Sequence, residues 1–241
     1  MMHDTTETKD PRIVVALDFP DRKSALSLVD QLSPEHCRLK VGKQLFTAAG
    51  PELVRELVQR DYDIFLDLKF HDIPNTVASA CRAAADLGVW MLNVHALGGK
   101  SMLEAAADAV KDSTQPRPLL IAVTLLTSLD QIDIETIGLR GSVQENVTRL
   151  AKLTADSGLD GVVCSAQEAT ILKQTMGEEF VLVTPGIRLQ DTRSDDQVRV
   201  VTPTDAISHG SDYLVVGRPI TSAPDPMNVL QKINEEIRRV K

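Results

Sequence analysis

The sequence predicts an α/β fold, a single (β/α)8 TIM barrel, and three observations carry that reading. Eight short β-branched runs alternate with longer helical stretches along 241 residues. Most of these runs are almost continuously apolar, as parallel strands covered by helices require. Charged residues and glycines gather at the C-terminal ends of the runs, where barrels of this kind place their chemistry. An open doubly wound sheet is the competing architecture. It would be supported by G-x-G-x-x-G after the first strand, whereas Asp18-Phe19-Pro20-Asp21 stands there.

The strand-like runs are residues 13–18, 37–41, 64–69, 91–95, 119–123, 161–164, 180–184 and 213–216. Helical patterning fills 23–31, 51–59, 76–87, 100–112, 142–157, 166–176 and 227–240. Asn75 can cap a helix opening at Thr76, and Gly50-Pro51 puts proline at a first helical position. Gly88 and Gly158 stand where helices would stop. No low-complexity linker interrupts the alternation, so a polar segment, 1–11, is followed by one barrel domain over 12–241.

Composition narrows the function. The chain is 43% hydrophobic and 25% charged, as globular proteins are. Lys and Arg number 26 against 34 Asp and Glu, a formal net charge of −8. That balance opposes a polyanionic partner, and one Trp, two Tyr and five Phe are too few for an obvious base-stacking platform. A nucleic-acid binder is therefore not expected, while a small phosphorylated ligand held by local positive charge is allowed. Cys37, Cys81 and Cys164 form no C-x-x-C pair and read as buried free thiols of a reducing compartment. No apolar stretch approaches a membrane span, and the polar start lacks the apolar segment of a signal peptide. A cytoplasmic protein is expected.

The third run carries the strongest chemical signal. Asp67 and Lys69 are two apart and share a strand face, while Leu66 and Leu68 point the other way, toward the helices. Charges aimed into a barrel mouth need partners or substrate. Asp18 ends the first run, Lys40 lies in the second, and Asp72 follows the third. Singly, each could be a solvated, paired or turn residue. Together they form a set of alternating sign that stability alone does not explain.

Across the barrel, the seventh run leads into Thr184-Pro185-Gly186-Ile187-Arg188, and the eighth into Val216-Gly217-Arg218-Pro219. Loops after strands seven and eight are the usual phosphate site of this fold. Glycine permits close backbone approach, and arginine can grip a phosphate through paired N–H groups. Between them, 189–204 is polar and long for a barrel loop, which suits either a lid or a plain surface loop. Asn93 and His95, ending the fourth run, can be either site or packing residues.

The segment Asp67-Leu68-Lys69-Phe70-His71-Asp72-Ile73-Pro74-Asn75-Thr76 resembles the signature of the orotidine 5′-monophosphate decarboxylase family, in its bacterial form. Its Asp-x-Lys-x-x-Asp core is shared with sibling decarboxylases and aldolases, whereas His-Asp-Ile-Pro-Asn-Thr is more specific. The resemblance extends to Ala16-Leu17-Asp18, Leu39-Lys40-Val41-Gly42, Val123-Thr124-Leu125-Leu126-Thr127-Ser128 and both glycine-arginine strand ends, and so spans nearly the whole chain.

The resemblance implies an enzyme of pyrimidine synthesis that needs neither cofactor nor metal. It implies that Lys69 protonates C6 as carbon dioxide leaves, flanked by Asp67 and by Asp72 from the partner of a homodimer. Asp18 and Lys40 would complete the charge network and hold ribose hydroxyls. Thr76 would reach the ribose across the interface. Thr127 would bond the pyrimidine edge, and Arg188, Gln197, Gly217 and Arg218 would surround the phosphate.

The residue types suit such a reaction. Carboxylates beside Lys69 favour its cationic form, which suits a proton donor facing a developing carbanion and not a Schiff-base lysine. Two other readings compete. A Mg²⁺-dependent sugar-phosphate decarboxylase or aldolase shares the motif core, but Lys40 beside the carboxylates repels a divalent ion. A non-catalytic phosphate-ligand binding protein has no evident use for the five-charge set.

Overall fold

The structure is a computed structural model and describes residues 10–111, 113, 116–188 and 201–240. Eight parallel strands close on themselves in chain order: β1 (Ile13–Ala16), β2 (Arg38–Gly42), β3 (Ile64–Phe70), β4 (Met91–His95), β5 (Leu119–Val123), β6 (Gly161–Val163), β7 (Val181–Thr184) and β8 (Tyr213–Val216). Pairing of Val15 with Val216 closes the ring between β1 and β8. The predicted barrel is the observed one.

Period-two alternation sorts the side chains. Val14, Ala16, Phe65, Met91, Ile121, Val183 and Val215 fill the inside of the barrel. Their neighbours Val15, Leu39, Leu66, Leu92, Leu120, Val162, Leu182 and Leu214 face outward, into the larger core under the helices. That is why the strands read as continuously apolar: both faces are buried. Where an interior position carries a charge, it lies near a strand end. Lys40 and Asp67 do so at the C-terminal mouth. Arg38 does so at the floor, stacked over Trp90 (4.1 Å) and Tyr213 (5.0 Å) and bonded to Asp63, Asp10 and the Pro11 carbonyl.

The helices covering the barrel are α1 (Arg22–Val29), α2 (Lys43–Gln59), α3 (Pro74–Ala85), α4 (Lys100–Lys111), α5 (Gln131–Thr136), α6 (Val143–Asp156), α7 (Ala169–Met176), α8 (Pro203–Ser208), α9 (Arg218–Thr221) and α10 (Pro226–Arg238). Local chemistry sets several boundaries. Ser142 and Glu145 form a reciprocal capping box at α6. Within α2, Gly50 turns to φ 72° and separates residues 43–49 from the helix that Pro51 reopens.

Two expectations need correcting, and three helices were not expected. Asn75 caps nothing: α3 starts at Pro74, Ile73 is the N-cap, and it makes no side-chain capping bond. The helix expected from Ala166 begins at Ala169, because 165–168 form a turn in which Glu168 accepts from the Ser165 N–H. The short helices α5, α8 and α9 have too few residues to show a hydrophobic period, so patterning does not find them.

The barrel is tight at Gly161, where an added Cβ would lie 2.0 Å from the Val181 carbonyl oxygen of the neighbouring strand. Backbone cannot yield there as a side chain could. Gly161→Ala is expected to destabilise the protein by about 3 kcal/mol, read as a lower denaturant midpoint at unchanged slope.

Candidate active site

The C-terminal ends of the strands surround a cavity of about 360 Å³. Asp18, Lys40, Asp67 and Lys69 line one side; Arg188, Gly217 and Arg218 line the other, with Thr127 also on the wall. Apolar groups between them come from Phe65, Val123, Leu125, Val163, Pro185 and Val215. Among the described residues, four cations and two carboxylates therefore face this space in an acidic chain, a local balance that suits an anionic ligand.

The charges are linked. The Lys69 ammonium lies 2.6 Å from Asp67 Oδ1, and Lys40 lies 3.3 Å from Asp67 Oδ2 and 3.2 Å from Asp18 Oδ1. Asp67 is almost enclosed, its side chain 12% exposed, whereas Asp18 is 67% exposed. Burial opposes ionisation of Asp67, but Lys40, Lys69 and the hydrogen bonds from Lys69 and Asn93 overcome it and hold its pKa below the ordinary 3.8. Its charge thus favours the folded state above about pH 3.8, an advantage lost as pH falls through the lowered value.

Backbone strain accompanies this arrangement. Register between β3 and β4 shifts at the motif: Leu66 pairs with Leu92, and the next partners are Phe70 and Val94. Asp67, Leu68 and Lys69 thus stand opposite Asn93 alone. Lys69 adopts φ 52°, a left-handed conformation unusual outside glycine. Asn93, fully buried, accepts a bond from the Lys69 N–H (2.8 Å) and donates one to Asp67 Oδ1 (2.7 Å). Simple alternation put Asp67 and Lys69 on one face. They do meet at the mouth, but through a bulge whose key partner the sequence left undecided.

His95, at the end of β4, stacks on His71 with ring centroids 5.4 Å apart. Burial, reinforced by the charges of His71, Lys43 and Lys69, lowers its pKa from 6.5 to about 4. Between those values the unfolded chain holds a proton that the folded chain does not, so stability falls as pH falls from 6.5 toward 4. The melting temperature of His95→Gln is expected to fall less steeply over that interval than that of the parent, by thermal scans at matched ionic strength.

Not every expected residue joins the cavity. Asp72 and Thr76 are exposed on the single chain and do not line it. Asp72 accepts a bond from its own Ile73 N–H, and no ion pair joins it to Lys69 of the same chain among the described residues. Of the five charges expected together, Asp18, Lys40, Asp67 and Lys69 line the cavity within one chain and Asp72 does not. Gln197 lies outside the described residues, as does most of the loop expected over 189–204. No group of three or more His, Cys, Asp or Glu side chains arranged to hold a metal ion occurs among the described residues. None of the described helices is long and apolar enough to cross a membrane.

Comparison with known proteins matches these features to one family. Residues 11–233 fit the family described as orotidine 5′-phosphate decarboxylase / HUMPS. A protein of Nitrosococcus oceani named orotidine 5′-phosphate decarboxylase is 60% identical over 229 residues, covering 95% of this chain and 98% of its own. One of the same name from Nitrosospira multiformis is 59% identical over 232 residues, 96% of either chain. The crystal structure of orotidine 5′-phosphate decarboxylase from Lactobacillus acidophilus superposes with a TM-score of 0.85 at 39% identity, over 95% of this chain and 99% of the other. The barrel, its charged mouth and identity along nearly the full length agree: this chain belongs to the orotidine 5′-phosphate decarboxylase / HUMPS family.

Proposed function

We propose that this chain decarboxylates orotidine 5′-monophosphate to uridine 5′-monophosphate in pyrimidine biosynthesis, without metal or organic cofactor, as a cytoplasmic homodimer whose catalytic domain spans 12–241. The observation that carries the reading is a single cavity with the Lys69–Asp67 pair on one wall and Arg188 and Arg218 on the other, in a chain 60% identical to a named decarboxylase.

Loss of carbon dioxide from C6 leaves an electron pair that the pyrimidine ring cannot readily delocalise. Lys69 gives a proton to C6 as the C–C bond breaks, and its ammonium stabilises the developing charge before transfer is complete. Asp67 keeps the ammonium in place through a 2.6 Å contact. Lys40 balances the Asp67 carboxylate and, with Asp18, holds the ribose. Thr127 bonds the pyrimidine edge. Arg188, Gly217, Arg218 and Gln197 hold the phosphate, whose binding energy is realised in the transition state. Asp67 is already engaged by two ammonium groups, which makes it a poor ligand for a divalent ion.

In the dimer, Asp72 and Thr76 come from the partner subunit. Their exposure on the single chain supports this, as does Ile73 between them, an apolar side chain 67% exposed. Mixed and refolded Lys69→Ala and Asp72→Asn chains then recover about a quarter of the parental activity, because half the dimers are hybrids with one intact site each. Absence of complementation would place Asp72 within its own site.

The decisive assay follows the ultraviolet absorbance of orotidine 5′-monophosphate in the presence of EDTA. Loss of substrate absorbance with the parent protein, and none with Lys69→Ala, supports the reading. No loss of absorbance with either protein would point to a sugar-phosphate sibling, tested next with a sugar phosphate and Mg²⁺, and nucleotide binding without release of carbon dioxide would assign a binding protein.

A further inference from the structure

Among the described residues, Asn93 bonds both the backbone of Lys69 and the carboxylate of Asp67, and it does so from the strand opposite a bulge. We infer that Asn93 is a positioning residue for decarboxylation: its amide sets the reach of the Lys69 ammonium by holding the left-handed backbone of Lys69 and one oxygen of Asp67 together. This rests on the function proposed above.

The argument starts with hydrogen-bond accounting. The shift in register between Leu66 and Phe70 removes ordinary β4 partners from the intervening segment. A buried N–H without a partner is costly, and the Lys69 N–H is met by Asn93 Oδ1 at 2.8 Å. The same amide spends its other end on Asp67 Oδ1, at 2.7 Å, the oxygen that also contacts the Lys69 ammonium at 2.6 Å. Amide orientation is thereby fixed, because only the NH2 end can face a carboxylate and only the carbonyl end can face the N–H. Lys69 at φ 52° is a conformation that persists only where the surroundings impose it. Asn93, fully buried and bonded at both ends, imposes it.

Asn93 does not line the cavity and has no contact with the space where substrate would sit. Its effect passes through Lys69 and Asp67, so it should alter turnover and leave phosphate recognition at Arg188 and Arg218 intact. A displacement of about 1 Å in a reacting group costs on the order of 100-fold in rate.

Two variants and two readouts test this. Asn93→Ala is expected to lower kcat by about 100-fold with KM, and affinity for uridine 5′-monophosphate, changed less than about threefold. A fall in kcat of less than about tenfold, or an equal loss of nucleotide affinity, overturns the inference. Asn93→Asp is nearly isosteric and guards against a folding defect. Its introduced carboxyl faces Asp67 and Lys69 on β3, Lys40 on β2 beyond them, and His95 and His71 nearby. When protonated it can donate to Asp67 as the amide does. Its activity relative to the parent should therefore rise as pH is lowered from about 8 to about 5 and exceed that of Asn93→Ala at the acid end. Activity that stays at or below that of Asn93→Ala across this range overturns the inference. The crystal structure of Asn93→Ala decides the point even if the parent proves not to decarboxylate the nucleotide: Lys69 leaves the left-handed region or its ammonium separates from Asp67. Retention of both would show that Asn93 does not position them.

Discussion

Replacing Lys69 with alanine is expected to lower kcat/KM for orotidine 5′-monophosphate by about 10⁴-fold or more, some 5.5 kcal/mol of transition-state stabilisation. Two losses combine. The variant has no acid within reach of C6, and the charge growing there loses a cation held 2.6 Å from Asp67. Asp67 would keep Lys40, at 3.3 Å, and its bond from Asn93, so the buried carboxylate is not abandoned and the barrel should fold. Affinity for uridine 5′-monophosphate should accordingly stay within about tenfold of the parent, because the phosphate wall is untouched. Turnover within about tenfold of the parent would remove Lys69 from the chemical step.

Arg218→Ala is expected to cost about 10³-fold in kcat/KM, roughly 4 kcal/mol, although Arg218 meets no reacting atom. It lies across the cavity from Lys69, where α9 leaves Gly217, on the wall it shares with Arg188. The informative comparison uses orotidine, the same substrate without its phosphate. Parent and variant should process orotidine at equal rates, and added guanidinium should restore part of the variant's rate with the full nucleotide only. A deficit of equal size for both substrates would mean that Arg218 supports the barrel mouth itself.

The fold was legible because both faces of each strand are buried and the sequence therefore repeats short apolar runs at regular spacing. Legibility ended where local geometry departs from the ideal strand. Alternation placed Asp67 and Lys69 on one face, yet their meeting depends on a bulge and a left-handed lysine, neither of which has a compositional mark. Asn93 was visible as a polar residue in an apolar strand, and only pairing across the bulge gives it a task. The cation-rich wall was legible from two glycine-arginine steps at strand ends, since the fold dictates where such loops converge. Asp72 and Thr76 came from the family signature, and the single chain leaves them exposed and outside the cavity.

The floor of the barrel has a consequence for the order of events. Arg38, wedged against Trp90 and Tyr213, stops the end opposite the mouth, and Phe65, Met91, Ile121 and Val183 fill the space above it. The protein is a blind well, not a tunnel. On the function proposed above, substrate would enter and both products leave by the mouth, so carbon dioxide released beside Lys69 would have to pass a nucleotide still held by its phosphate or wait for it to go. Anything that tightens the grip on the phosphate then slows the clearing of the whole site, and release can limit turnover once the chemistry is fast.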